Sequence, residues 1–295
     1  MPKPRVLKET PSKNYLEQID DRLPMRSSGA WAEEKLDYLA RYINGFETSM
    51  RSKWPVRNFI DLLAGPGKNK IRETSAILLG SPLIALTTPY PFTGYFFVDR
   101  SEENTRALNQ RCTVSPIYDR VNIRTGDCNK EVDAIIRKIK PDDSRSLNLA
   151  FLDPEGFELQ WATIEKLASV RRMDLIINYS QMGIERYISQ AFNSSKQTKV
   201  DLFFGGNEWR TIYATWQGKS ELQRRLMDHY KAKLRDLGYT EVFRGEGVGT
   251  EPLIKNQEKN VPLYSLIFAS KHNLGHKIWK SIIRKNVYGQ TRMDL

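Results

Sequence analysis

Apolar and polar positions follow two alternating patterns along residues 56–180, and together these patterns predict a parallel sheet. Five short segments, each the length of one strand and most of them mainly apolar, lie at residues 57–63, 93–98, 121–124, 147–152 and 173–178. The stretches between these segments carry apolar residues at helical spacing, as in residues 161–170. Strands buried on both faces and separated by helices are typical of parallel sheets covered by helices on both sides.

The flanking segments predict an arm, several more helices and two closing strands. Residues 1–28 have no clear period, and residues 31–50 predict an amphipathic helix that supports the sheet. Helices are also predicted at 183–192, 221–237 and 274–284, and strands at 239–248 and 262–269. We expect one integrated domain made of an arm and helix (1–55), a Rossmann-like half (56–180), a helical insertion (181–238), and closing strands with a C-terminal helix (239–295).

Polar residues follow the predicted strands at the point where each strand ends. They are the glycine turn at residues 65–67, then Asp99, Asp127, Asp153 and Asn178. Because the carboxyl ends of parallel strands meet at one edge of a sheet, these groups are expected to lie together. Open α/β sheets bind their ligands at that edge. An acidic residue at the tip of the strand after a glycine turn, here Asp99, is typical of a ribose-binding site.

The stretch from Asn58 to Gly67 predicts the centre of such a site. Asp61 interrupts an apolar run, and a buried carboxylate requires a donor because burying it unpaired costs free energy. Gly65 and Gly67 permit a positive φ, and Pro66 stiffens the turn between them. Such a turn leaves backbone N–H groups accessible to a small ligand. Short glycine motifs also occur by chance at strand ends, so both interpretations stand at this point.

Three cations follow the turn within five residues: Lys68, Lys70 and Arg72. They either contact a phosphate or substrate or belong to an exposed loop, and the sequence does not decide between these interpretations. The segment 68–79 separates the turn from the next helix, which is predicted to begin with Ser81 as N-cap and Pro82 at its first position. A second aromatic and basic stretch, 203–216, either contacts a substrate or packs the helical insertion.

Composition limits the classes of protein to which the chain belongs. The 295 residues carry a net charge of +11, of which residues 1–180 contribute 27 − 24 = +3 and residues 181–295 contribute 19 − 11 = +8. This excess predicts a polyanionic partner, most often nucleic acid, or else a solvated basic surface. The two cysteines exclude a disulfide framework and indicate a reducing compartment, so we expect a cytoplasmic protein. No apolar run has the ~20 residues that a membrane span requires, so no membrane association is expected.

With these elements in order, residues 56–270 resemble the class I S-adenosylmethionine-dependent methyltransferases. A closer resemblance is to the three-Cys-motif partner protein family (TcmP). It is carried by Phe-Ile-Asp-Leu-Leu-Ala-Gly-Pro-Gly, Gly-Ser-Pro-Leu-Ile-Ala-Leu, Gly-Asp-Cys-Asn, Phe-Leu-Asp-Pro-Glu-Gly-Phe and Leu-Tyr-Ser-Leu-Ile-Phe-Ala-Ser-Lys-His. The resemblance implies a seven-stranded methyltransferase-type sheet, mostly parallel with an antiparallel last strand. The family name further implies a partner that resembles a radical S-adenosylmethionine enzyme.

The methyltransferase resemblance also implies roles for individual residues. The methionyl part of S-adenosylmethionine would be held by Asp61, Ala64, Gly65 and Gly67. Asp99 would bind the ribose, since a carboxylate accepts two hydrogen bonds from a diol, and the adenine would lie at Asp127 and Cys128. The target nitrogen would be polarised by Asp153 and Pro154, with Phe157 stacked on the base. No residue is assigned to a metal.

Two departures from the methyltransferase pattern keep other functions open. Residues 68–79 are inserted after the glycine turn, and Asp153-Pro-Glu-Gly-Phe157 places its aromatic residue one position late and adds Glu155. The first hypothesis is methyl transfer from S-adenosylmethionine to a nucleic-acid base nitrogen. The second is a non-catalytic partner or adaptor with a methyltransferase fold. The third is a metal-dependent nuclease using Asp61, Asp127, Asp153 and Glu155, because hard cations take carboxylate ligands.

Overall fold

The structure, a computed structural model, describes residues 15–240, 242, 251–256 and 260–284. Its main element is a seven-stranded sheet in the order β6-β5-β2-β7-β8-β10-β9. The strands are β2 (Val56–Asp61), β5 (Gly94–Asp99), β6 (Val121–Thr125), β7 (Ser146–Leu152), β8 (Met173–Tyr179), β9 (Leu253–Asn256) and β10 (Val261–Ala269). A smaller sheet contains β1 (Arg26–Ser28), β3 (Lys68–Ile71) and β4 (Ile77–Leu79).

The large sheet is parallel except at one strand. β2 lies at the centre and pairs in parallel with β5 and β7, and β6 and β8 extend the sheet in parallel on either side. β10 is antiparallel both to β8 and to β9, so it alone runs against the other described strands of this sheet. The predicted α/β, Rossmann-like architecture with a mostly parallel seven-stranded sheet is therefore confirmed, including the antiparallel last strand.

Helices cover both faces of the sheet and enclose two apolar clusters. The helices are α1 (Trp31–Met50), α2 (Ser81–Leu86), α3 (Glu102–Cys112), α4 (Cys128–Ile139), α5 (Trp161–Ala168), α6 (Gln181–Phe192), α7 (Lys199–Phe204), α8 (Trp209–Ala214), α9 (Lys219–Asp236) and α10 (Asn273–Ile283). Side chains of α1, α2, α3 and α10 pack on one face. Those of α4 to α7 and α9 pack on the other. None of the helices described is long and apolar enough to cross a membrane.

Helix α1 supports the sheet as its periodicity predicts. Leu36, Leu39, Ile43 and Phe46 recur at three- and four-residue spacing and are all buried. The ring of Trp279, on α10, packs at the edge of Tyr42 with 5.8 Å between ring centroids. The sequence therefore locates both ends of α1 and its buried face.

The structure differs from the expectation for the two segments around the glycine turn. The predicted arm, 1–28, ends in strand β1, and the predicted loop, 68–79, contains strands β3 and β4. β1 pairs in parallel with β3 across about forty residues of chain, from Arg26 opposite Asn69 to Ser28 opposite Ile71. Lys68-Asn-Lys-Ile carries no apolar alternation, so its strand depends on this long-range pairing, which sequence periodicity does not record.

The other differences concern element boundaries. Most of the strand predicted at 239–248 lies outside the described residues, and the described positions 239, 240 and 242 are not in a strand. Among the described residues, the strand that precedes β10 is Leu253–Asn256. At the start of α2 the N-cap is Gly80 and not Ser81, which occupies the first helical position with Pro82 after it.

Candidate functional site

The glycine turn joins β2 to the small sheet, and both of its glycines have a positive φ. Gly65 has φ +63° and Gly67 has φ +92°. The Gly67 carbonyl accepts a hydrogen bond from Gly80 N–H at 2.7 Å. A Cβ on Gly67 would lie 2.9 Å from the Leu108 side chain, whereas a Cβ on Gly65 would contact nothing within 4 Å. Gly67 is therefore required for close packing, and the backbone at Gly65 borders open space.

Asp61 is buried at the end of β2, below this turn. Its side chain is fully buried, and Oδ1 accepts a hydrogen bond from Leu63 N–H at 3.1 Å. Burial raises the pKa of Asp61 to about 7, although hydrogen bonds from the Ser81 hydroxyl and the Leu63 N–H lower it. The carboxylates of Asp153 and Asp99 raise it further. The strand-tip acids are thus close enough to interact electrostatically.

Asp99 holds the turn in place at the end of β5. Oδ2 accepts a hydrogen bond from Gly65 N–H at 2.8 Å. Oδ1 accepts two, from Ser101 N–H at 2.8 Å and from the Asn104 side-chain amide at 3.0 Å. Because an ionised carboxylate has about four acceptor positions, three internal hydrogen bonds leave Asp99 with capacity for one more. The carboxylate predicted to bind ribose therefore also has a structural role.

At the end of β6, Asp127 and Cys128 differ in exposure. Asp127 is exposed and caps α4 by accepting a hydrogen bond from Asn129 N–H at 2.8 Å. Cys128 is buried, and its thiol lies 3.8 Å from the carbonyl oxygen of Glu158. Burial raises the pKa of this thiol to about 12, so it stays protonated.

Asn129 links this corner of the site to the loop after β7, which begins with Asp153. Its amide nitrogen donates to the Glu158 carbonyl at 2.8 Å. Its amide oxygen accepts from Gln160 N–H at 3.0 Å and from the Thr163 hydroxyl at 2.7 Å. Sequence reasoning did not single out Asn129, although it lies inside the Gly-Asp-Cys-Asn motif, which was the available signal.

Asp153 is buried at the end of β7 with both carboxylate oxygens occupied. Oδ2 forms an ion pair with Lys35 Nζ at 2.5 Å, and Oδ1 accepts from the Asn178 amide at 2.7 Å. Burial alone would raise the pKa of Asp153, but the charges of Lys35 and Arg26 and these hydrogen bonds hold it below its usual value. Asp153 is therefore a stable anion, and in this arrangement it is a weak base.

Two cations of the N-terminal part of the chain reach the site, and sequence reasoning missed both. Lys35, on α1, is buried, and burial lowers its pKa while Asp153 raises it. Arg26, on β1, lies 3.6 Å from Asp153 and 2.8 Å from Glu155. A signal for Lys35 existed in its position on the apolar face of α1, next to Leu36 and four residues before Leu39. Arg26 gave none, because its strand forms only through pairing with β3.

These residues surround a small cavity between the glycine turn, α1 and β7. It has a volume of about 20 Å³, which is enough for roughly one water molecule. Its lining includes Arg26, Lys35, Ala64, Gly65, Pro66, Gly67, Ser81 and Asp153. The lining thus includes Ala64, Gly65 and Gly67, three of the four residues predicted to hold the methionyl group, and Lys35 and Arg26 form part of its wall.

Lys68, predicted as a substrate or phosphate contact, is instead buried inside the protein. Its side chain is fully buried and pairs with Asp21 at 2.9 Å. Asp21 also binds Arg111 through two hydrogen bonds of 2.7 and 2.8 Å, and Arg111 donates to the Pro66 carbonyl at 2.5 Å. Lys68 therefore fixes the N-terminal arm to the glycine turn, because burying a cation requires a paired acid.

Lys70 and Arg72 are exposed, as an external contact requires. Together with Arg22 they line an open cavity of about 430 Å³ on the outer side of the small sheet. The guanidinium of Arg72 lies 5.1 Å from the centre of the Trp31 ring. The lining also includes one acid, Asp20, whose carboxylate accepts from Arg22 N–H at 2.9 Å.

Pro154 and Phe157 are both buried in the loop after β7. The Phe157 ring packs edge-on against Phe203 and Tyr187, with centroid separations of 5.2 and 6.0 Å. Phe157 therefore faces α6 and α7, and it packs within the apolar cluster to which Cys128 also belongs. The base-stacking role that the resemblance implies for it is not evident in this arrangement.

The acids of the nuclease hypothesis do not meet at one point. Asp153 is satisfied by Lys35 and Asn178, whereas Asp127 is exposed at the start of α4. Glu155 is exposed and paired with Arg26. Within the described residues, no group of three or more His, Cys, Asp or Glu side chains is placed to share a metal ion.

Comparison with models of known protein families finds no match, and neither does comparison with curated proteins. Among solved structures, the chain is similar to protein LPL1258 from Legionella pneumophila, described by the family model DUF519. The identity is 12% and the TM-score 0.40, over 56% of this chain and 76% of that one. A conserved hypothetical protein from Streptococcus pyogenes is 15% identical with a TM-score of 0.31, over 47% and 76%. Both TM-scores are below 0.5, so the Rossmann-like assignment depends on the strand order and register.

Proposed function

We propose that this protein is an S-adenosylmethionine-dependent methyltransferase that acts on a base nitrogen of a nucleic acid. The observation that carries the proposal is the assembly of Gly65, Asp61, Asp99 and Asp153 at the carboxyl edge of the central strands. The last strand of the sheet that holds them is antiparallel, as the methyltransferase resemblance implies, and it lies between β8 and β9. The net charge of +11 supports a polyanionic substrate.

The chemistry of the side chains fits the methyl donor. Arg26 and Lys35 are the cations at the cavity that would pair with its carboxylate, and Asp99 retains one acceptor position for a ribose hydroxyl. When bound, this donor supplies an electrophilic methyl group. The methyl donor would fit only if Lys35 and Arg26 turned away from Asp153, since the cavity volume is about 20 Å³.

The role of the chain in the transfer is to position the target and exclude water. Once Lys35 has left Asp153, the carboxylate would accept a hydrogen bond from the target amine, with the buried Pro154 beside it. Asn178 would keep the other oxygen of Asp153 oriented through its 2.7 Å hydrogen bond. Displacement at a methyl group depends mainly on alignment in a dry site, so a strong base is not required.

A second candidate function is favoured by the closed cavity. A protein whose candidate methionyl subsite is lined by its own Lys35–Asp153 ion pair and is too small for the methyl donor would bind a partner without transferring a methyl group. This is the adaptor that the three-Cys-motif partner resemblance suggests. Its partner would be the radical S-adenosylmethionine type of protein named in that resemblance.

Titration calorimetry with S-adenosylmethionine separates the two functions. The methyltransferase is expected to bind saturably, and Asp99→Ala is expected to weaken binding at least tenfold. Asn104→Ala is the matched control, because it removes one donor to Asp99 and leaves the carboxylate in place. Asp153→Asn should abolish methyl transfer to oligonucleotides while binding persists. Absence of binding at millimolar ligand would exclude the free-standing methyltransferase and favour the adaptor.

A further inference from the structure

A groove of about 400 Å³ lies beside the loop that carries Asp153, on the side of α6 and α7. Its volume is within the range of about 300–1,000 Å³ typical of ligand sites. The loop contributes residues 156–158, α6 contributes Tyr187, Gln190 and Ala191, and the start of α7 contributes Lys199 and Val200. The groove therefore begins three residues after Asp153, and it is separate from the cavity at the glycine turn.

Tyr187 is the main aromatic surface of this groove. Its side chain is 43% exposed, although large aromatic side chains are mostly buried in folded proteins. The ring is supported by Phe157 at 6.0 Å, and Phe157 is supported in turn by Phe203 at 5.2 Å. An exposed ring that packs against a buried ring is partly preformed as a stacking surface, because less side-chain entropy is lost when a flat ligand binds.

Unpaired cations outnumber unpaired acids around the groove. Lys199 lines it, and Lys196 and Arg186 are exposed nearby in the sequence; none of the three forms an ion pair within the described residues. The one acid in the lining, Glu158, is exposed, accepts a hydrogen bond from Gly156 N–H at 2.8 Å and forms no ion pair within the described residues. A free cation next to an exposed aromatic ring is the combination that binds a phosphate and its attached base.

We propose that this groove binds an unstacked base of a single-stranded nucleic acid, with the base on Tyr187 and a neighbouring phosphate on Lys199. The inference rests on the proposed function, because it assigns the groove to the strand whose target base lies at Asp153. A single strand is specified since a base within a duplex is already stacked and does not offer its face to a side chain. Phe157 then supports the stacking residue and does not itself contact a base.

The test is fluorescence anisotropy with labelled single-stranded RNA and DNA 12-mers and with the corresponding duplexes. Tyr187→Ala should lower single-strand affinity about 5- to 150-fold, which corresponds to roughly 1–3 kcal/mol per stacked base. Tyr187→Trp should retain it, because tryptophan also stacks. Tyr118→Ala is the matched control. Tyr118 is 37% exposed, similar to Tyr187, and lies outside the groove on the helical turn before β6.

Salt dependence separates stacking from charge. Tyr187→Ala should leave the slope of log affinity against log salt unchanged, whereas Lys199→Ala should reduce it by about 0.7, the value for one phosphate of a single strand. Unchanged affinity in Tyr187→Ala, loss in Tyr187→Trp, or an equal loss for duplexes would overturn the inference.

A parallel titration with S-adenosylmethionine distinguishes failure of the groove from failure of the proposed function. Binding of the methyl donor without any oligonucleotide binding would contradict both the nucleic-acid substrate and the assignment of the groove, and it would support the cofactor site. Oligonucleotide binding that depends on Tyr187, without donor binding, would support the base-binding role of the groove and contradict the methyltransferase function.

Discussion

At the scale of single residues, the Lys35–Asp153 ion pair determines the state of the site. Asp153 has no exposed oxygen to offer a substrate while Lys35 and Asn178 occupy it. Lys35 is only 8% exposed, so it depends on this partner to remain charged. A buried pair of this kind contributes little net stability when formed, and it becomes costly when one member is removed.

Replacing Lys35 with methionine is therefore expected to destabilise the fold by about 3–5 kcal/mol, because Asp153 is left buried with only the more distant Arg26. Urea denaturation measures this loss directly. Lys130→Met, at an exposed lysine of α4, is the control and should change the free energy of unfolding by less than about 0.5 kcal/mol. The double variant Lys35→Met, Asp153→Leu should recover most of the loss, and failure to recover would contradict a role for the ion pair.

Two buried acids predict an unusual dependence of stability on pH. Burial raises the pKa of Asp61 from 3.8 to about 7, and burial raises that of Glu47 from 4.5 to about 7 despite Arg57. Between pH 4.5 and 7 the folded state holds these protons and the unfolded state has lost them. The free energy of unfolding should therefore fall as the pH rises through this window, by about 1.4 kcal/mol per pH unit for each group.

Asp61→Asn is expected to remove the contribution of Asp61, about 1.4 kcal/mol per pH unit, and to leave those of Glu47 and of Asp174, whose pKa burial raises to about 6. Urea denaturation of both proteins at half-unit intervals from pH 4.5 to 7.5 gives the two slopes. An unchanged slope in Asp61→Asn would mean that Asp61 is ionised throughout the window.

The sequence could predict the residues whose role depends on their own strand. Gly65, Gly67, Asp61 and Asp99 were expected at the carboxyl edge, and all of them lie there. It could not predict that Lys68 is buried, because its partner Asp21 lies 47 residues away in an arm without a period. The local sequence pattern indicates which face of a helix or strand is apolar. It does not indicate which charged residue, distant in sequence, pairs with a residue on that face.

At the scale of elements, the small sheet is the feature that distinguishes this protein from a simple α/β sheet. β1 and β3 pair in parallel above the glycine turn, and Arg26 on β1 reaches Asp153 below. Arg111, on α3, connects these parts because it binds Asp21 and also the carbonyls of Pro24 and Pro66. The arm, the turn and α3 are thus joined through one buried guanidinium.

Arg111→Met is expected to release the arm as well as lower stability, because it removes all of these hydrogen bonds together. The expected loss is about 3–5 kcal/mol, the cost of leaving a buried acid partly unpaired. Trypsin cleavage after the exposed Arg22 should become faster, which limited proteolysis with mass spectrometry would detect.

Arg106→Met is the matched control for this experiment. Arg106 lies on the same helix, and its ion pair with Glu102 is exposed on both sides. Exposed pairs contribute about 0–1 kcal/mol, so this variant should resemble the wild type in both measurements. Cleavage after Arg22 at the same rate in Arg111→Met and Arg106→Met would show that Arg111 does not hold the arm.

The strands of the large sheet, unlike β1 and β3, could be predicted from local sequence. Each of β2, β5, β7 and β8 is buried along nearly its whole length and contains a short apolar run, since both faces of the sheet are covered by helices. β3 is exposed on its outer side at Lys70 and carries only one apolar residue, Ile71, so it resembled a loop. Strands that depend on long-range pairing are the ones that sequence periodicity misses.

At the scale of the whole molecule, positive charge is present on two surfaces that flank Asp153. One is the cavity of Arg22, Lys70 and Arg72 on the outer side of the small sheet. The other is the groove at Tyr187 and Lys199. Because β1 lies between the first cavity and Asp153, and the loop after β7 joins Asp153 to the groove, a strand that contacts both surfaces would pass over the candidate site.

Charge reversal of the first surface should therefore weaken nucleic-acid binding without changing its sequence preference. The triple variant Arg22→Glu, Lys70→Glu, Arg72→Glu is expected to reduce the salt slope of single-strand binding by up to about 2, at 0.7 per phosphate contact. Triple reversal of Lys130, Arg137 and Lys138, exposed cations on α4, preserves the change in net charge and should have a smaller effect. Equal slopes in the two triple variants would show that only the overall charge attracts the polyanion, and that the cavity of the small sheet is not a phosphate-binding surface.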